Sequence, residues 1–423
     1  MDYLHGFGNH FQSQAEADAL PLKQNSPQHV PRGLYSEQIS GSAFTAPRHQ
    51  TRFTWMYRLQ PSVLHGEFHP LSQYRLQDLP FKNKTPPTQL RWNPMPQPEQ
   101  DLDFVDSLFT MVGNGTVDLK QGGAIHLYAC NQSMQKRYFY NADAELLIVP
   151  QQGGLILKTE LGVIELVPME IAVIPRGIKF QVLLQDDQAY GYVCENFGFP
   201  FALPELGPIG ANGLANPRDF QIPIAAYENT TTSCELVSKF RGKLWAAEMN
   251  HSPLNVVAWH GNYCPYKYDL QLFNTINTVS YDHTDPSIFT VLTSQSPVSG
   301  TANIDFVIFP DRWQVAEHTF RPPYFHRNVM SEFMGLIQGQ YDAKPDGFVA
   351  GGCSLHNCMS AHGPDAAAYQ AAIKTELKPK KIINGLAIMF ESQYVWQVSQ
   401  QALNASWRQQ NYLQCWSELR AIG

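Results

Sequence analysis

Charged side chains are scarce in this sequence of 423 residues, of which only 16% are Asp, Glu, Lys or Arg. A typical soluble domain has about a quarter. No run of Lys and Arg is present, and the 37 acidic residues outnumber the 30 basic ones, so nucleic acid is not an expected partner. Much of the surface must therefore be uncharged or buried against other subunits.

Long apolar runs are also missing, because stretches such as LLIVP and IAVIP are too short to span a bilayer. The N-terminal residues MDYLHGFGNH contain no basic segment followed by an apolar one, so no secretory signal is visible. The seven cysteines are dispersed and odd in number, which is typical of reduced thiols rather than of a disulfide framework. We expect a cytoplasmic protein without membrane contact.

Residues 1–105 are rich in Pro, Gln, His and Arg and have little periodic pattern. A flexible arm would fit this composition, but the aromatic side chains in the segment need burial. They include Phe53, Trp55, Tyr57 and Trp92. We therefore expect a long ordered coil that lies over a folded surface.

Short β-rich runs dominate the rest of the chain and are separated by Gly and Pro. This pattern predicts a mainly β fold with two jelly-roll or cupin-like β-sandwich halves, an N-terminal domain over 1–275 and a C-terminal domain over 276–423. The predicted strands are 144–150, 155–160, 163–168, 171–175, 178–184, 255–259, 288–293, 304–309, 333–338 and 386–391.

A few helices are expected near the C-terminus. Asp365 after Pro364 is a plausible N-cap for a helix over 366–378. The stretch 397–421 also reads as helical, with Trp407, Tyr412 and Trp416 facing inward.

The segment RPPYFHRNVMSEFMGLIQG at 321–339 carries the strongest chemical signal. His326 precedes Glu332 by an even offset, so on one strand both side chains would share a face. A histidine and a carboxylate on one face form two thirds of a 2-His-1-carboxylate iron site. The spacing also resembles the first cupin motif up to Gly339, with Asn328 in place of the second histidine.

The third ligand is ambiguous, because both His356 and His362 follow in the next loop. Either could instead cap a turn or support the site through a hydrogen bond. Cys353, His356 and Cys358 have a superficially zinc-like spacing, but no second cysteine pair completes it. In the first half, 168–180 resembles the second cupin motif yet ends in Phe180, so that half is expected to hold no metal.

With these residues in hand, the chain closely resembles the homogentisate 1,2-dioxygenase family over its whole length. The strings that carry the resemblance are LYSEQISGSAFTAPR (34–48), GPIGANGLANPRDF (207–220), NVVAWHGNY (255–263), YDHTDPSIFTVLT (281–293), FRPPYFHRNVMSEFMGLI (320–337) and HGPD (362–365).

The resemblance implies iron(II) bound by His326, Glu332 and His362, with homogentisate and O2 as substrates. It implies His283 as proton acceptor and Tyr341 as a substrate contact, which His362 also makes. His356, Asn328 and Lys344 then become candidates for supporting the metal and substrate. It further implies a homohexamer built from two trimers, which agrees with the sparse surface charge.

The acetate arm of homogentisate needs a cationic partner, for which Lys344 or Arg327 is suited. Either cation could instead pair with Asp342 or Asp346. Two other hypotheses share the fold: a cupin isomerase that uses zinc or manganese, and a non-catalytic storage or sensing protein. The metal-ligand pattern disfavours the second of these, and the family strings disfavour the first.

Overall fold

A computed structural model describes residues 2–341, 343–344 and 346–421 of the chain. Strands dominate this part, which confirms the mainly β fold class. Its three α-helices are short and span Phe104–Ser107, Ala366–Lys374 and Gln400–Leu403.

A nine-stranded sheet is the central layer of the molecule. Its strands, in spatial order, are Tyr3–His5, Gln221–Pro223, Tyr266–Asp269, Glu170–Ile174, Glu145–Gln152, Ala189–Asn196, Gln121–Cys130, Phe109–Thr116 and Gln397–Val398. All neighbouring strands in this sheet are antiparallel.

A seven-stranded sheet covers one face of the central layer. Its strands are Gly162–Leu166, Leu155–Thr159, Phe180–Leu184, Arg137–Asn141, Cys234–Phe240, Lys243–Met249 and His69–Leu71. Leu146 and Ile148 of the central sheet belong to the core between these layers, whereas Leu147 and Val149 belong to the core on the opposite face. The uninterrupted apolar run 146–149 follows from this burial on both faces.

A six-stranded sheet covers the opposite face and positions the functional site. Its strands are Thr290–Gln295, Ala302–Phe309, Leu386–Ser392, Ser331–Gln338, Cys353–His356 and Leu90–Trp92. Phe306, Phe333 and Phe390 project from it into the core shared with the central sheet. Alternation along each strand leaves the next residues on the outer face, where the site lies.

Two smaller sheets complete the strand set. One contains Phe11–Gln14, Val256–Gly261, Phe53–Arg58 and Tyr35–Ser40, and the other pairs Arg312–Gln314 with Lys380–Ile382. Residues 2–105 are therefore ordered, but they contribute six short strands and are not coil throughout. Tyr57 and Trp92 are fully buried, as their aromatic character suggested.

Each strand named from the sequence has a counterpart within a few residues, whereas the C-terminal helix over 397–421 is wrong. Gln397–Val398 adds a strand to the central sheet, only Gln400–Leu403 is α-helical, and Tyr412–Trp416 is a 3₁₀ turn. Ser399 caps the short helix by accepting a hydrogen bond from the Ala402 amide. Pairing with the sheet edge outweighs the weak local helical pattern here.

Among the described residues, no helix combines the length and apolar character that crossing a membrane requires.

Candidate active site

His326 and His362 are joined by their backbones. Each donates its amide N–H to the carbonyl of the other, at 2.9 and 3.1 Å, in an isolated antiparallel bridge. The two imidazole rings have centroids 4.2 Å apart. A pair of reciprocal backbone bonds thus sets both rings side by side.

Glu332 lies on the outer face of the six-stranded sheet, where only 6% of it is exposed. His362 Nε2 is 3.1 Å from Glu332 Oε2, and His326 Nε2 is 3.8 Å from Glu332 Oε1. His326 precedes the strand that begins at Ser331, so the expectation that His326 and Glu332 share one strand is wrong. The bridge to His362 brings His326 to the carboxylate instead.

Both imidazoles present the same nitrogen to Glu332. His326 Nδ1 lies 2.8 Å from the carbonyl oxygen of Tyr324, and His362 Nδ1 lies 2.9 Å from that of Ser360. Because a carbonyl oxygen only accepts, each Nδ1 carries the proton. In the neutral tautomer the lone pair is then at Nε2, the atom that faces Glu332.

The charge of Glu332 is stabilised by the two histidines. Burial alone raises the pKa of Glu332, but the hydrogen bond that His362 donates when its Nε2 is protonated, the approach of His326 and the charges of both protonated rings together outweigh burial and lower the pKa to about 2. The nearby carboxylate of Glu332 in turn raises the pKa of His326. The three side chains are therefore electrostatically coupled, and a cation would compete with protons for the Nε2 atoms that face Glu332.

His356 packs against the ring of His362. Its ring stacks on that of His362, with centroids 4.2 Å apart and planes inclined by 9°. A 2.7 Å hydrogen bond joins His356 Nε2 to Tyr412 Oη. Burial, with smaller effects of the Lys344 and His362 charges, lowers the pKa of His356 well below its ordinary value, so the ring is neutral.

The Cys353-x2-His356-x-Cys358 spacing does not form a second site. Cys353 and His356 are an odd number of positions apart on one strand, so their side chains face opposite sides of the sheet. Cys353 is fully buried. Among the described residues, the one cluster of His, Cys, Asp or Glu with metal-binding geometry is His326, Glu332 and His362.

A cavity of about 400 Å³ opens over the three clustered side chains. This is within the range of small-molecule sites. The residues predicted from the sequence that line it are His283, His326, Arg327, Asn328, Glu332, Tyr341, Lys344, His356 and His362. The structure thus brings every site residue named from the sequence to one cavity.

His283 and Tyr341 occupy different parts of the cavity wall. The His283 ring meets Tyr324 edge-on, with centroids 6.0 Å apart, and Tyr324 in turn packs against His326. Tyr341 is buried against Phe309, with ring centroids 5.7 Å apart. Aromatic rings therefore surround the cavity beside the polar cluster.

Lys344 is a buried cation in the cavity wall, only 4% exposed. Its Nζ lies 5.7 and 5.4 Å from the ring centroids of Tyr412 and Trp416. Burial, with the charge of Arg91, lowers the pKa of Lys344 to about 7. Within the described part of the chain, no ion pair joins Lys344 to Asp346, whose backbone carbonyl accepts a hydrogen bond from Arg91 at 3.2 Å. Asp342 lies outside the described residues.

Glu391 is a cavity residue that sequence reasoning missed. It lies near the end of the strand Leu386–Ser392, whose apolar sequence predicts a strand but gives no sign of a functional side chain. Register places it directly opposite Glu332 on the neighbouring strand. Burial, together with the charges of Glu332 and Asp305, raises the pKa of Glu391 to about 7.

The cluster fits a divalent transition metal. The ligating atoms of His326, Glu332 and His362 all lie within 4.8 Å of one another. Two imidazoles and one carboxylate are the donor set of non-haem iron(II) sites, and they leave positions open for substrate and O2.

Comparison with known protein families decides between the chemistries that this donor set allows. Residues 2–270 match the family model for the homogentisate 1,2-dioxygenase N-terminal domain, and residues 271–422 match the one for its C-terminal domain. The chain belongs to the homogentisate 1,2-dioxygenase family. It is therefore a ring-cleaving dioxygenase, with homogentisate and O2 as the reactants that the family implies.

Several solved structures are distantly similar to this member of the family. Escherichia coli Ylba is 10% identical, with 71% of this chain and 86% of that one covered at a TM-score of 0.28. Bacillus subtilis oxalate decarboxylase is 9% identical, with 72% and 81% covered at 0.28. A salicylate 1,2-dioxygenase from Pseudaminobacter salicylatoxidans is 7% identical, with 66% and 75% covered at 0.29. These low scores carry no argument about chemistry.

Proposed function

We propose that the cavity is the active site, that His326, Glu332 and His362 hold iron(II) there, and that homogentisate and O2 react in it to give maleylacetoacetate. The observation that supports this most is the convergence of three ligating atoms at a cavity of about 400 Å³. The product assigns the protein to tyrosine and phenylalanine catabolism.

The chemistry that iron(II) supplies when bound is the transfer of electron density from the aromatic ring to O2, which ring cleavage requires. Homogentisate carries two hydroxyl groups para to each other, so they cannot chelate one metal ion as those of a catechol do. The protein must therefore orient the ring by other contacts. We assign this role to Tyr341, His362 and the aromatic wall at Phe309, because all three line the cavity.

Deprotonation of a phenolic hydroxyl is assigned to His283. Its Nδ1 lies 2.7 Å from the carbonyl oxygen of Thr284, so Nδ1 carries the proton and donates it to that oxygen. The lone pair of the neutral ring is then at Nε2. A histidine held in one tautomer is suited to accept a proton near neutral pH.

The acetate arm is assigned to Lys344. Its ammonium forms no ion pair with the residues that the structure describes, apart from longer-range attraction to groups such as Cys415 and Glu332. A buried cation without an anionic partner gains most from a carboxylate ligand. Arg327 also lines the cavity and is the alternative partner.

We propose further that the protein is a cytoplasmic homohexamer made of two trimers. Apolar side chains next to the triad support subunit contacts, because Tyr324, Phe325 and Val329 are 47%, 46% and 61% exposed. Light scattering coupled to size-exclusion chromatography measures the assembly directly. A monomer at micromolar concentration would refute this part of the proposal.

The activity is tested by anaerobic reconstitution of the apoprotein with Fe(II), followed by addition of homogentisate and O2. We expect oxygen uptake together with the absorbance of maleylacetoacetate. Samples loaded with zinc or manganese are the controls, and they should be inactive. Iron-loaded protein that consumes no oxygen would refute the proposed function.

A further inference from the structure

Four ionisable side chains form a straight row across the outer face of the six-stranded sheet. Asp305 is directly opposite Glu391, Glu391 is opposite Glu332, and Glu332 is opposite His356 on successive strands. Directly opposed side chains on a sheet lie about 5 Å apart at Cβ. Glu332 and Glu391 therefore place two carboxyl groups side by side, which needs a bridging donor.

Asn328 supplies that donor. Its Nδ2 lies 3.2 Å from Glu332 Oε1 and 2.6 Å from Glu391 Oε1. A primary amide has two N–H groups, so it can donate one to each carboxyl group. The bridge thus links Glu391 to the metal-binding carboxylate without direct contact between the two acids.

The orientation of the Asn328 amide is fixed by its surroundings. Its Oδ1 accepts a hydrogen bond from the amide of Met330 at 3.0 Å, and its backbone carbonyl accepts one from Met359 at 2.7 Å. A flipped amide would point Oδ1 at two carboxyl groups and lose both donors. The residue that departs from the usual cupin motif is therefore locked in one geometry.

The two oxygens of Glu332 are consequently held in different ways. Oε2 is bound by His362, whereas Oε1 is closest to the Asn328 amide and lies farther, at 3.8 Å, from His326. Loss of the Asn328 bond would free the carboxylate to rotate about its terminal torsion, which has a broad energy minimum.

We propose that Glu391 is a positioning residue, which holds the Asn328 amide so that this amide fixes the carboxylate of Glu332 for metal binding. The inference rests on the proposed role of Glu332 as a metal ligand. Hydrogen-bond partners of metal ligands commonly change metal affinity by about 10- to 100-fold when they are removed.

A simple charge effect is the competing explanation, because any anion near the site attracts a cation. Two variants separate the explanations. Glu391→Gln removes the charge but keeps an oxygen that can accept from Asn328. Asp305→Asn removes a charge from the same row, at a residue that does not line the cavity and has no bond to Asn328.

The experiment measures Fe(II) affinity of the full-length apoprotein by anaerobic dialysis against a competing chelator. We expect Glu391→Leu and Asn328→Ala each to weaken Fe(II) binding by about 10- to 100-fold. The double variant should be little worse than either, because both substitutions break one bridge. Glu391→Gln and Asp305→Asn should bind Fe(II) nearly as well as the wild type.

A second readout reports geometry rather than affinity. The electron paramagnetic resonance spectrum of the nitric oxide adduct of the Fe(II)-loaded protein should change in Glu391→Leu and return towards the wild type in Glu391→Gln. If Glu391→Leu does not fold, as judged by circular dichroism, Glu391→Ala replaces it, because that variant also removes the acceptor for Asn328 and adds less apolar volume.

Glu332→Ala separates failure of the inference from failure of the proposed site. If Glu332→Ala loses Fe(II) while Glu391→Leu binds it normally with an unchanged spectrum, Glu391 has no positioning role. Equal losses in Glu391→Gln and Asp305→Asn would show that charge alone acts. Unchanged binding by Glu332→Ala would overturn the metal site itself.

Discussion

The histidines of the triad acquire their tautomers from local backbone geometry. Each Nδ1 donates to the carbonyl of the residue two positions before it, Tyr324 for His326 and Ser360 for His362. The same short arrangement thus occurs on both sides of the bridge between them. The orientation of both rings therefore does not depend on Glu332.

His283→Ala should retain iron but turn over homogentisate about 10²- to 10⁴-fold more slowly, the range for loss of a general base. Iron is retained because His283 contacts Tyr324 and the Thr284 carbonyl but not the triad. Metal analysis and steady-state kcat check the two parts. His356→Ala, which should keep most of its iron, is the comparison, and an unchanged kcat in His283→Ala would remove its role as base.

Lys344→Met should lower kcat/KM for homogentisate by roughly 10- to 100-fold, which corresponds to the 1.5–3 kcal/mol of a hydrogen bond to a charged group. The loss should vanish with methylhydroquinone, which has no carboxylate. Arg327→Met is the matched control for the other cation of the cavity. A larger loss of kcat/KM in Arg327→Met would indicate that Arg327, rather than Lys344, binds the acetate arm.

The pKa of Lys344 also predicts how kcat/KM changes at alkaline pH. Burial lowers the pKa of Lys344 to about 7, so its ammonium form predominates at pH values well below 7, is half lost near pH 7 and disappears as the pH rises further. Carboxylate binding needs the ammonium form, and kcat/KM should therefore fall as the pH rises through 7. The Lys344→Met profile should lack this fall, and a persisting fall would assign it to another group.

At the level of secondary structure, the sequence predicted strands well and irregular segments poorly. Alternation and turn residues located each named strand, because these signals are local. The contact of His326 with Glu332 was anticipated for the wrong reason, since it depends on a backbone bridge to His362. Glu391 was missed because only strand register, a non-local property, places it beside Glu332.

The helix Ala366–Lys374 begins at the N-cap that the sequence predicted, Asp365, and this cap can be tested. The Asp365 side chain accepts a hydrogen bond from the Ala368 amide at 2.7 Å, as the N-cap assignment requires. Asp365→Ala should lower the free energy of unfolding by about 1 kcal/mol, whereas Asp365→Asn or Asp365→Ser should restore most of it. Thermal or denaturant unfolding measures this, and equal losses in all three would point to a charge effect instead.

Across the whole molecule, the two halves of the chain exchange strands. Leu90–Trp92 pairs with Cys353–Leu355 at the edge of the six-stranded sheet, and Gln397–Val398 pairs with the central sheet at Val112 and Gly113. Trp92 also donates its indole N–H to the Ala402 carbonyl at 2.8 Å. The proposed domains 1–275 and 276–423 are thus continuous in sequence but share their sheets and one core.

This exchange predicts that residues 276–423 do not fold alone, although they contain every proposed metal ligand. Without Leu90–Trp92, the strand Cys353–His356 would become an unpaired edge, and the apolar face carrying Phe306 and Phe333 would lose the central sheet. We expect the isolated fragment to show no cooperative thermal transition and no Fe(II) binding above that of a Glu332→Ala fragment. Mixing it with residues 1–275 should restore both. A cooperative transition in 276–423 alone would show that the catalytic half is an autonomous domain and that the exchanged strands only dock against it.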